Sequence, residues 1–224
     1  MLKAVLFDLD GTLLNRDESL KIFIDKQYER LNEWLPQIPK EKYIQRFIEL
    51  DNRGYVWKDK VYHQLINEFG IEEITWEDLL RDYLTYFKEN CVPFSNLISM
   101  LGELKRNNIL IGIITNGKGQ FQMDNIKALG IDKYTDTILI SEWEGVKKPA
   151  PKIFKTALEK LDVSAKESVF IGDHPVKDVR AAQSVGMRTI WKRDHQWDNV
   201  KSDFIVDDLG EIPQIINQSN SVPY

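Results

Sequence analysis

The chain has a single cysteine, Cys91, so no intramolecular disulfide can form and the disulfide framework of a small secreted domain is excluded. No block of lysine and arginine stands out. Thirty basic residues face 35 acidic ones, the formal net charge is −5 and the pI is about 5.4. That balance argues against a general nucleic-acid surface and leaves room for a small anionic substrate. No apolar run approaches the ~18 residues a membrane helix needs. The N-terminus enters a strand within a few residues, without a basic or a long apolar region, so it does not read as a signal peptide. Internal repeats and low-complexity segments are also absent. The expectation is a cytoplasmic protein with no nucleic-acid or membrane partner, with monomer or homodimer left open.

What is present is a core. Of 224 residues, 42% are hydrophobic, enough for one or two domains. Short apolar runs at Ala4–Phe7, Ile109–Ile114, Thr137–Ile140, Val169–Ile171 and Arg188–Trp191 read as buried strands. Helical spacing lies between them: Ile98, Leu101 and Leu104; Phe121, Ile126 and Leu129, stopped by Gly130; Ile153, Phe154, Ala157, Leu158 and Leu161; Val179, Ala182 and Val185, followed by Gly186. Strand alternating with helix predicts an α/β fold with a parallel sheet and right-handed crossovers. Residues 16–90 break this rhythm with four helical stripes and no strand. Pro39 suits a helix's first turn, and Thr75 with Asp78 resembles a capping box. The predicted organisation is an α/β core over 1–15 and 91–224, a helical insertion over 16–90, and a poorly ordered tail over 217–224.

Polar groups gather at strand ends. Asp8 and Asp10 follow the first run, Thr115 and Asn116 the second, Lys148 the third, and Asp173 the fourth, with Asp178 on the next helix. In an open α/β sheet, ligands bind outside the carboxyl ends of the strands. Carboxylates gathered there repel one another, by roughly 4 kcal/mol for two unit charges about 4 Å apart at an effective dielectric of 20. Such a cluster needs cations. Mg²⁺ suits all-oxygen ligands together with substrate phosphate, and Lys148 supplies another positive charge.

These segments resemble the haloacid dehalogenase superfamily of phosphohydrolases. "DLDGT", "ITN", "GVKKPAP" and "GDHPVKD" match its four motifs in order, spanning Asp8 to Asp178, and the helical insertion is similar to the family's cap of the first type. The resemblance implies a Rossmann-like core with an all-helical cap. It implies Asp8 as nucleophile forming an aspartyl phosphate, and Asp10 as general acid and then base. It implies Mg²⁺ held by Asp8, the Asp10 carbonyl, Asp173 and Asp178, phosphate bound by Thr115 and the Asn116 amide, and Lys148 offsetting charge. Dehalogenase members lack an acid at the position of Asp10, because a halide leaving group needs no proton. A phosphatase acting on a small phosphorylated metabolite is therefore expected. A phosphomutase on a sugar phosphate, a 2-haloacid dehalogenase and a catalytically silent binding protein are the alternatives.

Other features read blandly. Lys147 is a solvated charge, the Gly117–Gly119 "GKG" is not a phosphate loop, Cys91 is a packed side chain, and His63, His174 and His195 lack ligand spacing. The helical insertion carries no legible substrate motif. Arg46, Arg53, Tyr55 and Trp57, in a polar-aromatic stretch, are its candidates for substrate selection, each equally readable as a solvated or packed loop residue.

Overall fold

The computed structural model describes residues 1–35 and 38–221. Contacts divide the chain into two compact units, one of residues 16–92 and one of residues 1–15 with 93–224.

The first of these is helical: α1 (Arg16–Arg30), α2 (Lys40–Asp51), α3 (Lys58–Phe69) and α4 (Trp76–Tyr86). It runs two residues past the expected 16–90 because the Val92 amide donates to Ser19 Oγ at 2.9 Å, tying that segment to α1. Aromatic side chains fill its centre. Phe23 meets Tyr83 edge-on at 5.2 Å, and Phe47 lies 5.4 Å from Tyr62. Buried Gln27 satisfies both ends of its amide, donating to Leu79 O and Asp82 Oδ1 and accepting from the Tyr62 hydroxyl. Asp51 is also buried. Its carboxylate accepts from Arg16 Nη2 at 2.9 Å, from the Gly54 amide at 2.8 Å and from Lys58 Nζ. Thr75 and Asp78 form the expected capping box. Pro39 departs from its expected place by one residue. It stands as the N-cap of α2 with an extended ψ of 132°, ahead of the first turn.

The other unit is built on a six-stranded parallel sheet in the order β3-β2-β1-β4-β5-β6. Its strands are β1 (Ala4–Phe7), β2 (Leu110–Thr115), β3 (Thr137–Ile140), β4 (Ser168–Gly172), β5 (Arg188–Lys192) and β6 (Phe204–Val206). Its helices are α5 (Leu97–Arg106), α6 (Gly119–Ala128), α7 (Ser141–Glu144), α8 (Pro151–Leu161), α9 (Ala181–Ser184) and α10 (Ile212–Ser221). β1 and β3 keep their expected bounds, β4 and β5 extend to include Ser168, Gly172 and Lys192, and β2 shifts by one residue, beginning at Leu110 rather than Ile109 and ending on Thr115. β6 has no counterpart in the sequence reading. It is three residues long at the sheet edge, and Val206 alone is buried. The tail expectation is corrected over 217–221, which close α10: its Ile212 and Ile216 are buried, and Asn220 Oδ1 accepts from the Leu2 amide. Residues 222–224 lie outside the described residues.

On one face Ile153, Phe154, Ala157 and Leu161 of α8 pack against Leu6, Ile114, Leu139 and Phe170, with Phe154 edge-on to Phe170 at 5.1 Å. Full burial of each leucine, isoleucine or phenylalanine among them stabilises by about 1.5–3 kcal/mol. α5 packs on β2, where Leu97, Met100, Leu101 and Leu104 are buried; Ile98, expected in that stripe, is exposed. After β3 the chain crosses β2 and β1 to reach β4. The reversal of strand order falls between β1 and β4, and in an open α/β sheet ligands bind at the carboxyl ends of the strands flanking such a switch point.

Candidate active site

Asp8 prolongs the pairing of β1 with β4 by one step, its amide donating to Ile171 O at 2.9 Å. The chain then folds back, with the Leu13 and Leu14 amides both donating to Leu9 O. Gly11 makes this turn with φ at +84°, and a Cβ there would lie 2.3 Å from Asp173 Oδ2. Only glycine meets both demands. The turn that follows the two aspartates therefore brings backbone against the carboxylate at the end of β4.

Three carboxylates converge. Oxygens of Asp8, Asp173 and Asp178 all lie within 4.8 Å of one another. Lys148 Nζ reaches two of them, Asp8 Oδ1 at 2.5 Å and Asp178 Oδ1 at 2.7 Å, and is itself buried. Asp178 is aimed inward by a π-type turn over Pro175–Arg180, in which its Oδ2 accepts from the His174 amide at 3.0 Å. A Cβ at Gly172 would meet the Asp178 side chain at 2.4 Å, so this approach also needs a glycine. The Asp173 carboxylate has no hydrogen-bond or ion-pair partner among the described residues. Its main-chain carbonyl accepts from Trp191 Nε1 at 2.7 Å.

One ammonium among three acids leaves the cluster short of positive charge. Burial pushes the Asp8 carboxyl up to about 7; Lys148 opposes the rise and Asp178 adds to it. Asp173 is held well above the usual carboxylate range by burial and then by the charges of Asp8 and Asp178. For Lys148, burial works against the charged form, but Asp178 and Asp8 outweigh it and hold the ammonium above its ordinary range. An all-oxygen donor set with an unpaired carboxylate fits a hard divalent cation. The Asp10 carboxylate is not one of the three.

Asp10 is instead held from α6. Gln122 Nε2 donates to Asp10 Oδ2 at 2.7 Å and to Thr115 Oγ1 at 2.8 Å. The sequence reading missed Gln122. A signal existed: Gln122, Asn125, Ile126 and Leu129 keep helical spacing, so two amides stand on a buried face. Thr115 is the last residue of β2 and buried. The Asn116 side chain makes a reciprocal pair with the Lys148 backbone, donating to its carbonyl at 2.9 Å and accepting from its amide at 2.8 Å. The phosphate expectation for Asn116 thus concerns its main-chain N–H, while its side chain holds Lys148 in place.

The candidates of the helical unit fall differently. Arg46 directs its guanidinium to Glu68 in a two-point contact of 2.6 and 2.7 Å, and to Glu49 at 2.9 Å. Arg53 adopts a left-handed conformation at φ 55°, Tyr55 is exposed, and Trp57 is the N-cap of α3. His174 caps its own turn, Nδ1 accepting from the Val176 and Lys177 amides, and burial lowers its pKa. Cys91 is half-buried, with its thiol directed at Phe87 O. Among the described residues, no helix is long and apolar enough to cross a membrane.

Comparison with known proteins agrees with this geometry. The glyceraldehyde 3-phosphate phosphatase of Pyrococcus furiosus is 26% identical, with 98% of this chain and 95% of that protein covered. The protein of the same name from Methanocaldococcus jannaschii is 29% identical, with 96% and 97% covered. Among solved structures, the putative hydrolase YfnB of Bacillus subtilis, described as bound to magnesium, superposes with a TM-score of 0.76 at 23% identity, covering 96% of this chain and 99% of that one. Residues 5–192 match the family described as haloacid dehalogenase-like hydrolase, and the chain belongs to that family.

Proposed function

We propose that the chain hydrolyses the phosphate monoester of a small metabolite, with Mg²⁺ and through an aspartyl phosphate on Asp8. The observation that carries this reading is the carboxyl of Asp10, two residues from Asp8, held at 2.7 Å by a buried amide. An ester oxygen leaves as an alkoxide and needs a proton; a halide does not. A held carboxyl group at this place therefore supports phosphate ester hydrolysis over dehalogenation.

The residues divide the work. An Asp8 oxygen attacks phosphorus, and Lys148 favours the ionised form of that carboxylate. Asp10 protonates the leaving oxygen, then takes a proton from the water that cleaves the acyl phosphate. Thr115 and the Asn116 amide bind phosphoryl oxygens. Asp8, Asp173 and Asp178, with the Asp10 carbonyl, hold Mg²⁺, which when bound neutralises carboxylate and phosphoryl charge. The two relatives named for glyceraldehyde 3-phosphate, covered nearly end to end, support a short phosphorylated metabolite as substrate.

A screen of phosphorylated metabolites with Mg²⁺, and with EDTA in its place, tests the reading. Phosphate release that EDTA abolishes and Mg²⁺ restores is expected. Asp173→Ala should raise the Mg²⁺ concentration needed, and Ca²⁺ should substitute poorly because it prefers more ligands and looser geometry. Release undiminished in EDTA would contradict the metal assignment. Isomerisation of a sugar phosphate without phosphate release would replace the phosphatase by a mutase.

A further inference from the structure

Gln122 is 2% exposed, and the Asp10 carboxylate, the Thr115 hydroxyl and the Asn116 carbonyl surround its amide nitrogen at 2.7, 2.8 and 3.3 Å. Its Oε1 accepts from Asn125 Nδ2 at 3.2 Å. Turning the amide over would set Oε1 against a carboxylate oxygen and a carbonyl, and would bring two NH₂ groups face to face, so the surroundings fix which end donates. Gly117 leaves the space this side chain fills, since a Cβ there would lie 2.8 Å from Gln122 Cγ.

We propose that Gln122 is a positioning residue that sets the hydrogen-bond direction of both Asp10 and Thr115. This rests on the phosphatase reading. An oxygen that accepts from Gln122 Nε2 presents a lone pair there, so the protonated form of Asp10 carries its proton on Oδ1. Thr115 Oγ1, accepting from the same amide, has its own O–H left to donate to a phosphoryl oxygen. The step balances. As the bond from Asp8 oxygen to phosphorus forms, the bond from phosphorus to the leaving oxygen breaks. The leaving oxygen keeps that electron pair and takes the proton from Asp10 Oδ1. Asp10 becomes a carboxylate whose Oδ2 is still held by Gln122.

The test compares two leaving groups. An alkyl phosphate needs its proton, whereas p-nitrophenyl phosphate leaves as a stable anion. Gln122→Met keeps the length of the side chain and removes its hydrogen bonds to Asp10, Thr115 and Asn125. It should lower kcat on the alkyl ester ~100-fold and at least about ten times more than on the nitrophenyl ester. Gln122→Asn, one methylene short, should shift the ratio the same way by less, so the comparison survives if one variant fails to fold. In an Asp10→Asn background, Gln122→Met should no longer move the ratio. A merely structural role would lower both rates together. Equal losses on the two esters, or a shift that persists without Asp10, would overturn the proposal. If the unsubstituted protein hydrolyses neither ester nor any phosphorylated metabolite, the phosphatase reading itself fails, and this inference with it.

Discussion

Lys148 Nζ stands 2.5 Å from Asp8 Oδ1, joining the segment after β3 to the first residue after β1. The same nitrogen holds Asp178 at 2.7 Å. Two of the three converging carboxylates therefore share one buried ammonium, and the third, Asp173, has no cationic side chain paired with it among the described residues.

Lys148→Met should accordingly destabilise the protein as well as silence it. Removing one partner of a buried ion pair costs about 3–5 kcal/mol, because the remaining charges stay buried and unpaired. In EDTA the Tm should fall by on the order of 10 °C. Added Mg²⁺ should raise the Tm of the variant more than that of the unsubstituted protein, since the ion then balances more carboxylate charge. Equal Tm values in EDTA would show that the ammonium is not what balances this cluster.

Asp8→Asn keeps the shape of the side chain and removes the nucleophilic charge. Hydrolysis should drop to background while the far-UV spectrum and Tm hold or rise, since one of three mutually repelling carboxylates is gone. Beryllium fluoride, which mimics an aspartyl phosphate, should bind the unsubstituted protein at Asp8 and leave Asp8→Asn unmodified. Turnover well above background in the variant would exclude a covalent intermediate on this residue.

Gly11→Ala tests the close approach of turn and carboxylate. The new Cβ would stand 2.3 Å from Asp173 Oδ2 in a backbone held at φ +84°, so Asp173 must move. The midpoint of a Mg²⁺ titration, read by thermal shift in the absence of substrate, should rise at least ~10-fold, in line with the 10- to 100-fold cost of disturbing groups around a metal. An unchanged midpoint would mean that Asp173 does not hold the ion.

The strands that carry these groups were legible because each is a short, mostly apolar run; β1 is buried throughout, β3 at the sheet edge is buried at Leu139 and Ile140, and both kept their bounds to the residue. β6 was not, because a three-residue edge strand with Phe204 and Ile205 exposed leaves no such run. The polar residues at the strand ends were readable one by one, but their partners were not. Gln122 comes from the interior of α6, where an amide on a buried face looks like any other helical polar residue until Asp10 and Thr115 are set beside it. The end of α10 was misread because "NQSN" is polar, whereas its order rests on Ile212 and Ile216 upstream and on the side chain of Asn220 pairing with the Leu2 backbone.

The helical unit carries its own acid sensitivity. Burial alone would raise the pKa of Asp51, but Lys58 and Arg16 reverse this and hold it below its ordinary value of 3.8. A carboxyl lowered on folding contributes stability that is present above the unfolded pKa and lost as pH falls through the folded one. Asp51→Asn should therefore be less stable than the unsubstituted protein at pH 7, and the gap should narrow below about pH 4. Urea denaturation at pH 7, 5 and 3.5 measures it. A gap that widens on acidification would reverse the sign and exclude the ion pairs as its source.

The last prediction concerns substrate choice within the segment joining α2 to α3. Asn52 and Arg53 are both left-handed there, at φ 45° and 55°, and the conformation presents Tyr55 as an exposed aromatic ahead of Trp57. Left-handed non-glycine residues cost free energy that the surroundings must offset, and such positions gather where a loop has a task. Arg46 commits its guanidinium to Glu68 and Glu49, and Arg53 Nη2 lies 3.7 Å from Asp17 Oδ2. We propose that Arg53, Tyr55 and Trp57 select the substrate, and that Arg46→Ala acts only on the local ion pairs. The measurement is kcat/KM for a preferred metabolite divided by that for p-nitrophenyl phosphate, which offers the protein little beyond its phosphoryl group. Alanine at Arg53, Tyr55 or Trp57 should lower this ratio, by about tenfold where a charged or aromatic contact of 1–2 kcal/mol is lost. Alanine at Arg46 should leave the ratio alone and shift the Tm slightly, as exposed pairs contribute about 0.2–1 kcal/mol. If the ratio is unmoved at all three positions, this segment does not choose the substrate, and its conformation serves the packing of α2 and α3 alone.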